Sequence, residues 1–315
     1  MHVNFHPQPA EARSDESGRV TVYADETLED LQRGGFRLIQ SASGFRHGTD
    51  SVLLAAWAAS LAEGRKSLRV ADLGAGNGAV SLLLAARRSA DVIAAFEKDI
   101  HAVDLLRRNI KLNHLVQRMN PLPGDLRARL DEHHLPDTVP DYHQYDLVVA
   151  NPPYHIPRQS YGGCRNREDH HEVIRNRPAV YEDDLPLDVL MRMARRLLKP
   201  QGRMMMVHHP RRLPDLIEQL RQHRFALTRL RFVHSGVDRP PVMLLLEARL
   251  YGRPGGFRAE APLILEQPSG TVSPELAELY GHDAALCEAD LTQDITFCRQ
   301  SWCDMAGRGD EHHDD

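Results

Sequence analysis

The residues with the clearest chemical potential are Asn151, Pro152, Pro153 and Tyr154, which directly follow a short apolar run at positions 147–150. The run predicts a buried strand. Proline has no N–H to donate to a sheet and holds the preceding residue in an extended conformation, so the two prolines end this strand. An amide and an aromatic ring are therefore held at the carboxyl end of a strand, where open α/β sheets bind ligands.

This arrangement suits the attack of a planar amino group on a methyl donor. The lone pair of an exocyclic amine is delocalised into its ring, which makes the amine a poor nucleophile. The side-chain oxygen of Asn151 and the carbonyl of Pro152 are two acceptors that can hold its N–H groups and help to localise the lone pair. Tyr154 can stack on a base, a contact worth about 1–3 kcal/mol. A rigid turn explains the same residues without chemistry, so other segments have to decide.

A glycine-rich turn is the second candidate site, between a predicted strand at 68–73 and a predicted helix at 79–88. Glycine lets the backbone turn tightly and approach a ligand, and the first N–H groups of the following helix face that ligand. The glycines are Gly74, Gly76 and Gly78.

Three carboxylates accompany this turn. Asp72 lies in the strand two residues before the first glycine. Glu97 ends a predicted strand at 91–96, where a carboxylate can accept from both hydroxyls of a ribose. Asp125 follows a predicted short strand at 120–122 and can accept from an adenine amino group. The glycine spacing also satisfies the loose dinucleotide pattern, so this turn alone does not separate NAD from S-adenosylmethionine.

The segment before the glycine turn reads as a polar turn at 25–31, a strand at 36–40 and an apolar helix at 51–59. In the simplest interpretation Thr49 or Asp50 caps this helix. The alternative interpretation places both residues near the reacting centre.

The order of elements predicts the fold class. Strands and helices alternate from residue 68 to residue 223, which indicates a parallel sheet with helices on both faces. Two final strands at 227–233 and 242–248 have a short connection and are therefore antiparallel. We expect a Rossmann-like, doubly wound α/β fold, with a mostly parallel sheet of seven strands closed by an antiparallel hairpin.

We expect a single domain at residues 25–250. Residues 1–24 are predicted to be a disordered extension, because they are polar and lack periodicity. Residues 251–315 are predicted to be an irregular extension with a possible helix at 274–279 and a disordered, acidic tail.

Composition excludes several functional classes. The chain has 315 residues and a net charge of -5, so contact with nucleic acid would have to come from a local basic face. No apolar run approaches the about 18 residues of a membrane span, and the polar N-terminus lacks the order of a signal peptide. The 4 cysteines and 18 histidines show no metal-ligand spacing. We expect a cytoplasmic protein with reduced thiols, no metal and no membrane contact.

Three features favour S-adenosylmethionine over NAD. Asp72 precedes the glycines, and Gly78 adds a third glycine to the turn. The Asn-Pro-Pro-Tyr sequence follows the strand at 147–150, the fourth of the predicted parallel strands, where a dehydrogenase has no need of it. Residues 72–78 read Asp-Leu-Gly-Ala-Gly-Asn-Gly, which resembles the first motif of class I methyltransferases. The chain as a whole resembles the Rossmann-like methyltransferases that use S-adenosylmethionine to methylate amino groups.

A second resemblance is more selective. Residues 48–57 read Gly-Thr-Asp-Ser-Val-Leu-Leu-Ala-Ala-Trp. They resemble the Thr-Asp-x-x-Leu-Leu-x-x-Trp segment of bacterial adenine-N6 methyltransferases that modify valine tRNA beside its anticodon. The similarity extends over about residues 35–248.

The resemblance implies S-adenosylmethionine as the cofactor and a tRNA adenine as the methyl acceptor. Asn151 and Pro152 would hold the target amine, and Tyr154 would contact its ring. Glu97 would lie against the ribose of the donor and Asp125 against its adenine. The remaining donor-binding residues would be Asp50, Asp72, Gly74, Gly76 and Gly78.

The loop after Tyr154 matches the family less well. Residues 162–172 correspond only loosely to the Arg-x-x-Ala-Arg-His-Glu-like segment of the resembled family. This loop is expected to contact the substrate, and its arginines suit phosphates, although solvated surface charge is the commoner fate of such residues. The candidates for substrate binding are Pro153, Arg158, Arg165 and Arg167.

Four other functions stay open at this point. Release-factor glutamine methyltransferases share the Asn-Pro-Pro-Tyr sequence but usually carry a helical N-terminal domain, whereas only about 60 residues precede the first core strand here. Guanine-N2 rRNA methyltransferases use a similar Asn-Pro-Pro sequence. An NAD-dependent oxidoreductase and a non-catalytic RNA-binding module are alternatives of different classes. The sequence does not report the oligomeric state.

Overall fold

A computed structural model describes residues 20–42, 48–61, 68–87, 90–131, 142–152, 185–253 and 255–281. None of the helices in these ranges combines the length and the apolar character needed to cross a membrane.

The main sheet contains seven long strands. They are β3 (Arg69–Leu73), β4 (Val92–Glu97), β5 (Met119–Pro123), β6 (Tyr145–Ala150), β7 (Leu198–His208), β8 (Phe225–His234) and β9 (Pro241–Leu250). Two short strands, β10 (Arg258–Ala259) and β11 (Leu263–Ile264), pair with β8. The spatial order of the long strands is β5-β4-β3-β6-β7-β9-β8.

Strand directions confirm the predicted fold class. The pairs β4–β5, β3–β4, β3–β6 and β6–β7 are parallel, whereas β9 is antiparallel to both β7 and β8. The main sheet therefore has seven long strands, as predicted, and the hairpin of β8 and β9 closes it, whereas the predicted strand at 36–40 lies outside this sheet. Strands that are buried on both faces need nearly continuous apolar sequence, which explains why these runs could be recognised.

Helices cover both faces of the sheet. They are α1 (Thr49–Ala59), α2 (Ala79–Ala86), α3 (Ile100–Leu112), α4 (Leu126–Asp131), α5 (Leu187–Leu197), α6 (Leu213–Gln222) and α7 (Pro274–Tyr280), with a 3-10 turn at Pro210–Arg212 before α6. Side chains of α1, α2, α3 and α7 pack into one apolar core, and those of α4, α5 and α6 pack into a second core on the opposite face. The fold is therefore doubly wound.

The prediction of a polar turn at 25–31 is wrong. Residues Glu26–Asp30 form a strand, β1, which pairs antiparallel with β2 (Arg37–Ser41). The pairing supplies the backbone hydrogen bonds of β1, and Glu26 is joined to Arg108 of α3 by an ion pair. Tertiary contacts thus override the weak strand propensity of this polar segment.

The segment after β9 is more regular than predicted. The predicted helix at 274–279 is present as α7, and Leu276 and Ala277 are fully buried in the first core. Ser273 caps this helix, since its hydroxyl accepts from the N–H of Leu276. Residues 255–281 also supply both short strands. The domain boundary at residue 250 stays a prediction, and the acidic tail lies outside the described residues.

Candidate active site

The ends of the parallel strands bring the predicted site residues to one edge of the sheet. Gly74 follows β3, Glu97 ends β4, Asp125 lies two residues after β5, and Asn151 directly follows β6. These four strands are neighbours in the sheet. The carboxyl edge of the sheet therefore carries the candidate site, as the position of ligand sites in open α/β sheets predicts.

The glycine turn has a backbone that other residues rarely adopt. The φ angles of Gly74, Gly76 and Gly78 are 77°, 56° and 93°. A Cβ atom at Gly78 would lie 2.5 Å from Cδ1 of Leu106, so this glycine permits close packing against α3. A Cβ atom at Gly76 would meet no atom within 4 Å, which places open space beside the middle of the turn. The turn is thus a cradle that a ligand can approach.

Glu97 fixes this turn to the end of β4. Its carboxylate accepts from the backbone N–H of Gly76 at 2.8 Å, of Lys98 at 2.7 Å and of Asp99 at 2.8 Å. The N–H groups of Gly74 and Ala75 both donate to the carbonyl of Phe96 at 2.9 Å. The glycine turn and the acidic residue therefore form one connected unit.

Asp72 lies beneath the turn and is 1% exposed. Its carboxyl accepts from the hydroxyl of Ser81 in α2 at 2.7 Å. Burial raises the pKa of Asp72, hydrogen bonds from Ser81 oppose the shift, and the nearby charge of Glu97 adds to it, so that the resulting pKa is about 7. The position of Asp72 inside the core makes it a support of the turn.

Asp125 lies at the other end of the site and is partly exposed. Its carboxylate accepts from the backbone N–H of Arg127 at 2.8 Å, in the first turn of α4. It also approaches the guanidinium of Arg127 at 3.5 Å. Asp125 therefore holds the start of α4 and presents a carboxylate near the end of β5.

Asn151 contacts a residue that is distant in sequence. Its side-chain nitrogen donates to Oδ2 of Asp50 at 2.9 Å and approaches the hydroxyl of Ser51 at 3.5 Å. Asp50 belongs to the first turn of α1, so this helix is directed at the end of β6. This contact brings Asp50 to the end of β6, and its place near the reacting centre stays a prediction.

The prediction that Thr49 or Asp50 caps α1 is wrong. The residue before the helix is Gly48, and no side chain caps it. Thr49 lies inside the helix, and its hydroxyl is 3.1 Å from the hydroxyl of Tyr280 in α7. Both side chains are committed to tertiary contacts, which a local capping pattern does not reveal.

Several predicted residues lie outside the described residues. Pro152 is described and is buried. The other candidates for contact with the substrate lie outside the described residues: Pro153, Tyr154, Arg158, Arg165 and Arg167. Their roles stay predictions.

Sequence reasoning missed Asn109, which connects three parts of the site. This buried residue of α3 accepts from the N–H of Ile39 at 2.7 Å and donates to the carbonyls of Ile39 and Asn77, each at 2.9 Å. It therefore pairs with the backbone of β2 as a neighbouring strand would, and it holds the glycine turn. An asparagine among the apolar positions of a helix was the signal.

Two more residues at this edge were missed. Ile100 begins α3 three residues after Glu97, and its side chain is 66% exposed. His208 ends β7 and is buried, and burial lowers its pKa to about 3, with Arg212 and His209 adding to the effect. His208 is therefore neutral, and its Nδ1 accepts from the N–H of His209 at 2.8 Å. In the described ranges no group of His, Cys, Asp and Glu side chains is arranged to hold a metal ion.

Comparison with known proteins decides between the families that share this geometry. The family model described as methyltransferase small domain matches residues 41–167. A tRNA1(Val) (adenine(37)-N6)-methyltransferase of Porphyromonas gingivalis is 30% identical over 249 residues, which are 78% of this chain and 90% of that protein. The protein of the same name from Yersinia enterocolitica is 30% identical over 259 residues, 79% of this chain and 92% of its own. The chain belongs to this family of methyltransferases.

Family membership resolves one alternative from the sequence. It selects S-adenosylmethionine over NAD as the cofactor. A solved structure agrees with the fold. A predicted O-methyltransferase from Agrobacterium tumefaciens, protein Atu636, superposes with a TM-score of 0.54, at 21% identity, over 74% of this chain and 95% of that chain.

Proposed function

We propose that this chain transfers a methyl group from S-adenosylmethionine to the exocyclic N6 amino group of an adenine in tRNA. The observation that carries the proposal is the position of Asn151, whose amide lies at the same sheet edge as the glycine turn and is oriented by Asp50. The curated relatives are named for this reaction on adenine 37 of tRNA1(Val). Such a substrate belongs to the cytoplasm.

The described residues fit the donor. The open space beside Gly76 would receive the amino-acid part, and the carboxylate of Glu97 would accept from the ribose hydroxyls while it holds the turn. Asp125 would accept from the adenine amino group, and the exposed side chain of Ile100 would cover the adenine face. When bound, S-adenosylmethionine supplies an electrophilic methyl group on a positively charged sulfur.

The protein contributes position and hydrogen bonds to the target amine. The side-chain oxygen of Asn151 and the carbonyl of Pro152 accept the two N–H bonds, which favours a pyramidal nitrogen with a localised lone pair. With the donor bound, that nitrogen would take the methyl group as the bond between the methyl carbon and sulfur breaks, and it would then release one proton to water. Holding two reactants in this geometry supplies much of the acceleration.

The target adenine has to leave its stack to enter this edge. Enzymes that act on a base extrude it from the nucleic acid and hold it by its polar edge and by stacking. We assign the stacking contact to Tyr154 and phosphate contacts to Arg158, Arg165 and Arg167, with Pro153 beside the base. The net charge of -5 means that these contacts have to be local.

The test is methyl transfer from labelled S-adenosylmethionine to total tRNA and to cytosolic protein of a strain that lacks this gene. Nuclease digestion and mass spectrometry should find labelled N6-methyladenosine in the tRNA fraction. Label in protein with none in RNA would replace the proposal with a glutamine-methylating activity, and labelled N2-methylguanosine would replace it with a guanine-methylating activity.

A variant at the centre of the site makes this test specific. Asn151→Ala removes one acceptor of the target amine and should lower turnover by about 100-fold, because misplacement of a reactant can cost that much. Donor affinity should stay within a factor of about 3. Turnover equal to that of the wild type would refute the assignment of Asn151.

A further inference from the structure

The contact between Asp50 and Asn151 decides which end of an amide faces the substrate. The two residues are 101 positions apart, and the nitrogen of Asn151 is 2.9 Å from Oδ2 of Asp50. The other carboxylate oxygen, Oδ1, accepts from the backbone N–H of Ser51 at 2.7 Å. The carboxylate is therefore held by α1 itself while it accepts from the end of β6.

Chemistry allows only one orientation of the amide in this contact. An ionised carboxylate only accepts hydrogen bonds, and an amide can donate only through its nitrogen. The nitrogen of Asn151 must therefore point at Asp50, and the amide oxygen points away from α1. A flipped amide would place two acceptors against each other, and the partly buried hydrogen bond to Asp50 would be lost.

The substrate needs this orientation. An exocyclic amine offers N–H groups, so Asn151 can hold it only through the oxygen. If the amide were flipped, its own N–H groups would face the N–H groups of the amine. The orientation of this amide therefore decides whether Asn151 accepts from the target amine or repels it.

We propose that Asp50 is a positioning residue of the reaction, which acts on the substrate only through Asn151. This inference rests on the proposed function and replaces donor binding as the main role of Asp50. Its first consequence is that the isosteric change Asp50→Asn is harmful. The new amide keeps its oxygen on the N–H of Ser51 and turns its nitrogen towards Asn151, which then has to flip.

A double-mutant cycle tests the proposal. We expect Asp50→Ala and Asp50→Asn each to lower kcat by about 10- to 100-fold, with donor affinity changed by less than about 3-fold. In the Asn151→Ala background, the same changes should have almost no further effect on kcat, since residues that act as a unit are not additive. Losses that multiply in the double variants would overturn the proposal, as would a donor affinity that falls as much as kcat.

An exchange of the two functional groups provides a second test that does not depend on loss of activity. Asn151→Asp alone brings two carboxylates within hydrogen-bond distance, and their repulsion should abolish turnover at neutral pH. Combined with Asp50→Asn, the pair is complementary again. The new amide donates to the new carboxylate, whose second oxygen can accept from the amine. Turnover of the exchanged pair should exceed that of either single variant by at least about 10-fold, and failure to do so would contradict the proposal.

The control is Asp146→Asn at the opposite end of β6. Asp146 accepts from the N–H of Arg69 at 3.0 Å and pairs with Lys199 at 2.7 Å, at the amino edge of the sheet. The kcat of the Asp146→Asn variant should stay within about twofold of that of the wild type. A wild-type protein that methylates no tRNA adenine would refute the proposed function before any variant is compared. An active wild type whose variants behave additively would refute the role of Asp50 alone.

Discussion

The carboxylate of Glu97 accepts a hydrogen bond from the backbone N–H of Gly76 at 2.8 Å. One oxygen thus holds the middle of the glycine turn, while the other accepts from the N–H groups of Lys98 and Asp99. A carboxylate that also accepts from a ribose couples donor binding to the shape of the turn. Loss of this side chain would remove both the proposed contact with the ribose and the anchor of the glycine turn.

We therefore predict that Glu97→Ala weakens donor binding more than it slows turnover at saturating donor. A hydrogen bond to a charged group is worth about 1.5–3 kcal/mol, so the Kd for S-adenosylmethionine should rise by about 10- to 100-fold. Isothermal titration calorimetry measures this Kd. The control is Glu275→Ala, at the start of α7, which breaks an ion pair with Arg231 of β8 and should leave this Kd unchanged. An unchanged Kd in Glu97→Ala would refute the ribose contact.

The sequence was sufficient for the sheet and for the place of the site. The apolar runs of β3, β4 and β6 identify buried strands. Gly74, Glu97 and Asn151 follow or end these strands and must meet at one edge because the strands are parallel. The sequence was insufficient for the contact between Asp50 and Asn151. Which side chains meet across 101 residues depends on how α1 packs against the sheet, and no local pattern encodes that packing.

Ile100 gives a prediction about donor binding that sequence reasoning did not reach. Its exposed side chain follows Glu97 closely, at the edge where the adenine is expected. Ile100→Ala removes apolar surface worth about 1–2 kcal/mol, which corresponds to a Kd for the donor raised by about 5- to 30-fold. Val116 is similarly exposed, at 61%, but lies before β5 and so near the amino edge of the sheet. Equal effects of Ile100→Ala and Val116→Ala on donor affinity would contradict the assignment.

Asp72 predicts an unusual dependence of stability on pH. Burial raises its pKa from 3.8 to about 7. Between these values the folded protein holds a proton that the unfolded chain has released, so the free energy of unfolding falls as the pH rises through this window. At about 1.4 kcal/mol per pKa unit, the wild type should lose about 3 kcal/mol between pH 5 and pH 8 relative to Asp72→Asn. The amide oxygen of the variant still accepts from Ser81.

Urea unfolding of both proteins at pH 5, 6, 7 and 8 measures this difference. The comparison with Asp72→Asn cancels the contributions of all other titrating groups, because they are common to both proteins. Parallel stability curves for the wild type and the variant would show that Asp72 titrates near its ordinary pKa, and the raised pKa would be wrong.

Asn109 shows why part of the site needs tertiary information. Its amide bonds to the backbone of both β2 and the glycine turn, so its role depends on three segments that are far apart in sequence. The same limitation applies to β1. Its polar sequence predicts a turn, and only the partner strand β2 makes it a strand.

The hydroxyl groups of Thr49 and Tyr280 lead to the last prediction, because they join α1 to the helix that follows the sheet. Their distance is 3.1 Å, and both side chains are buried. The carbonyls at the end of α7 are held as well, since Arg33 donates to those of Glu278 and Leu279, at 3.0 and 3.1 Å. The helix α7 therefore fixes the first turn of α1, which carries Asp50.

Tyr280→Phe removes one partner of this bond and should lower the free energy of unfolding by about 1 kcal/mol. Turnover should fall by about twofold to tenfold, because a displaced first turn of α1 carries Asp50 away from Asn151. Thr49→Val should have the same effects, and the double variant should lose little more than either single variant, since both remove the same bond.

Tyr251→Phe, which changes an exposed tyrosine, is the control. Denaturant unfolding and steady-state kinetics measure the two quantities. Wild-type turnover in Tyr280→Phe, despite the loss of stability, would show that α7 supports the fold without positioning the site.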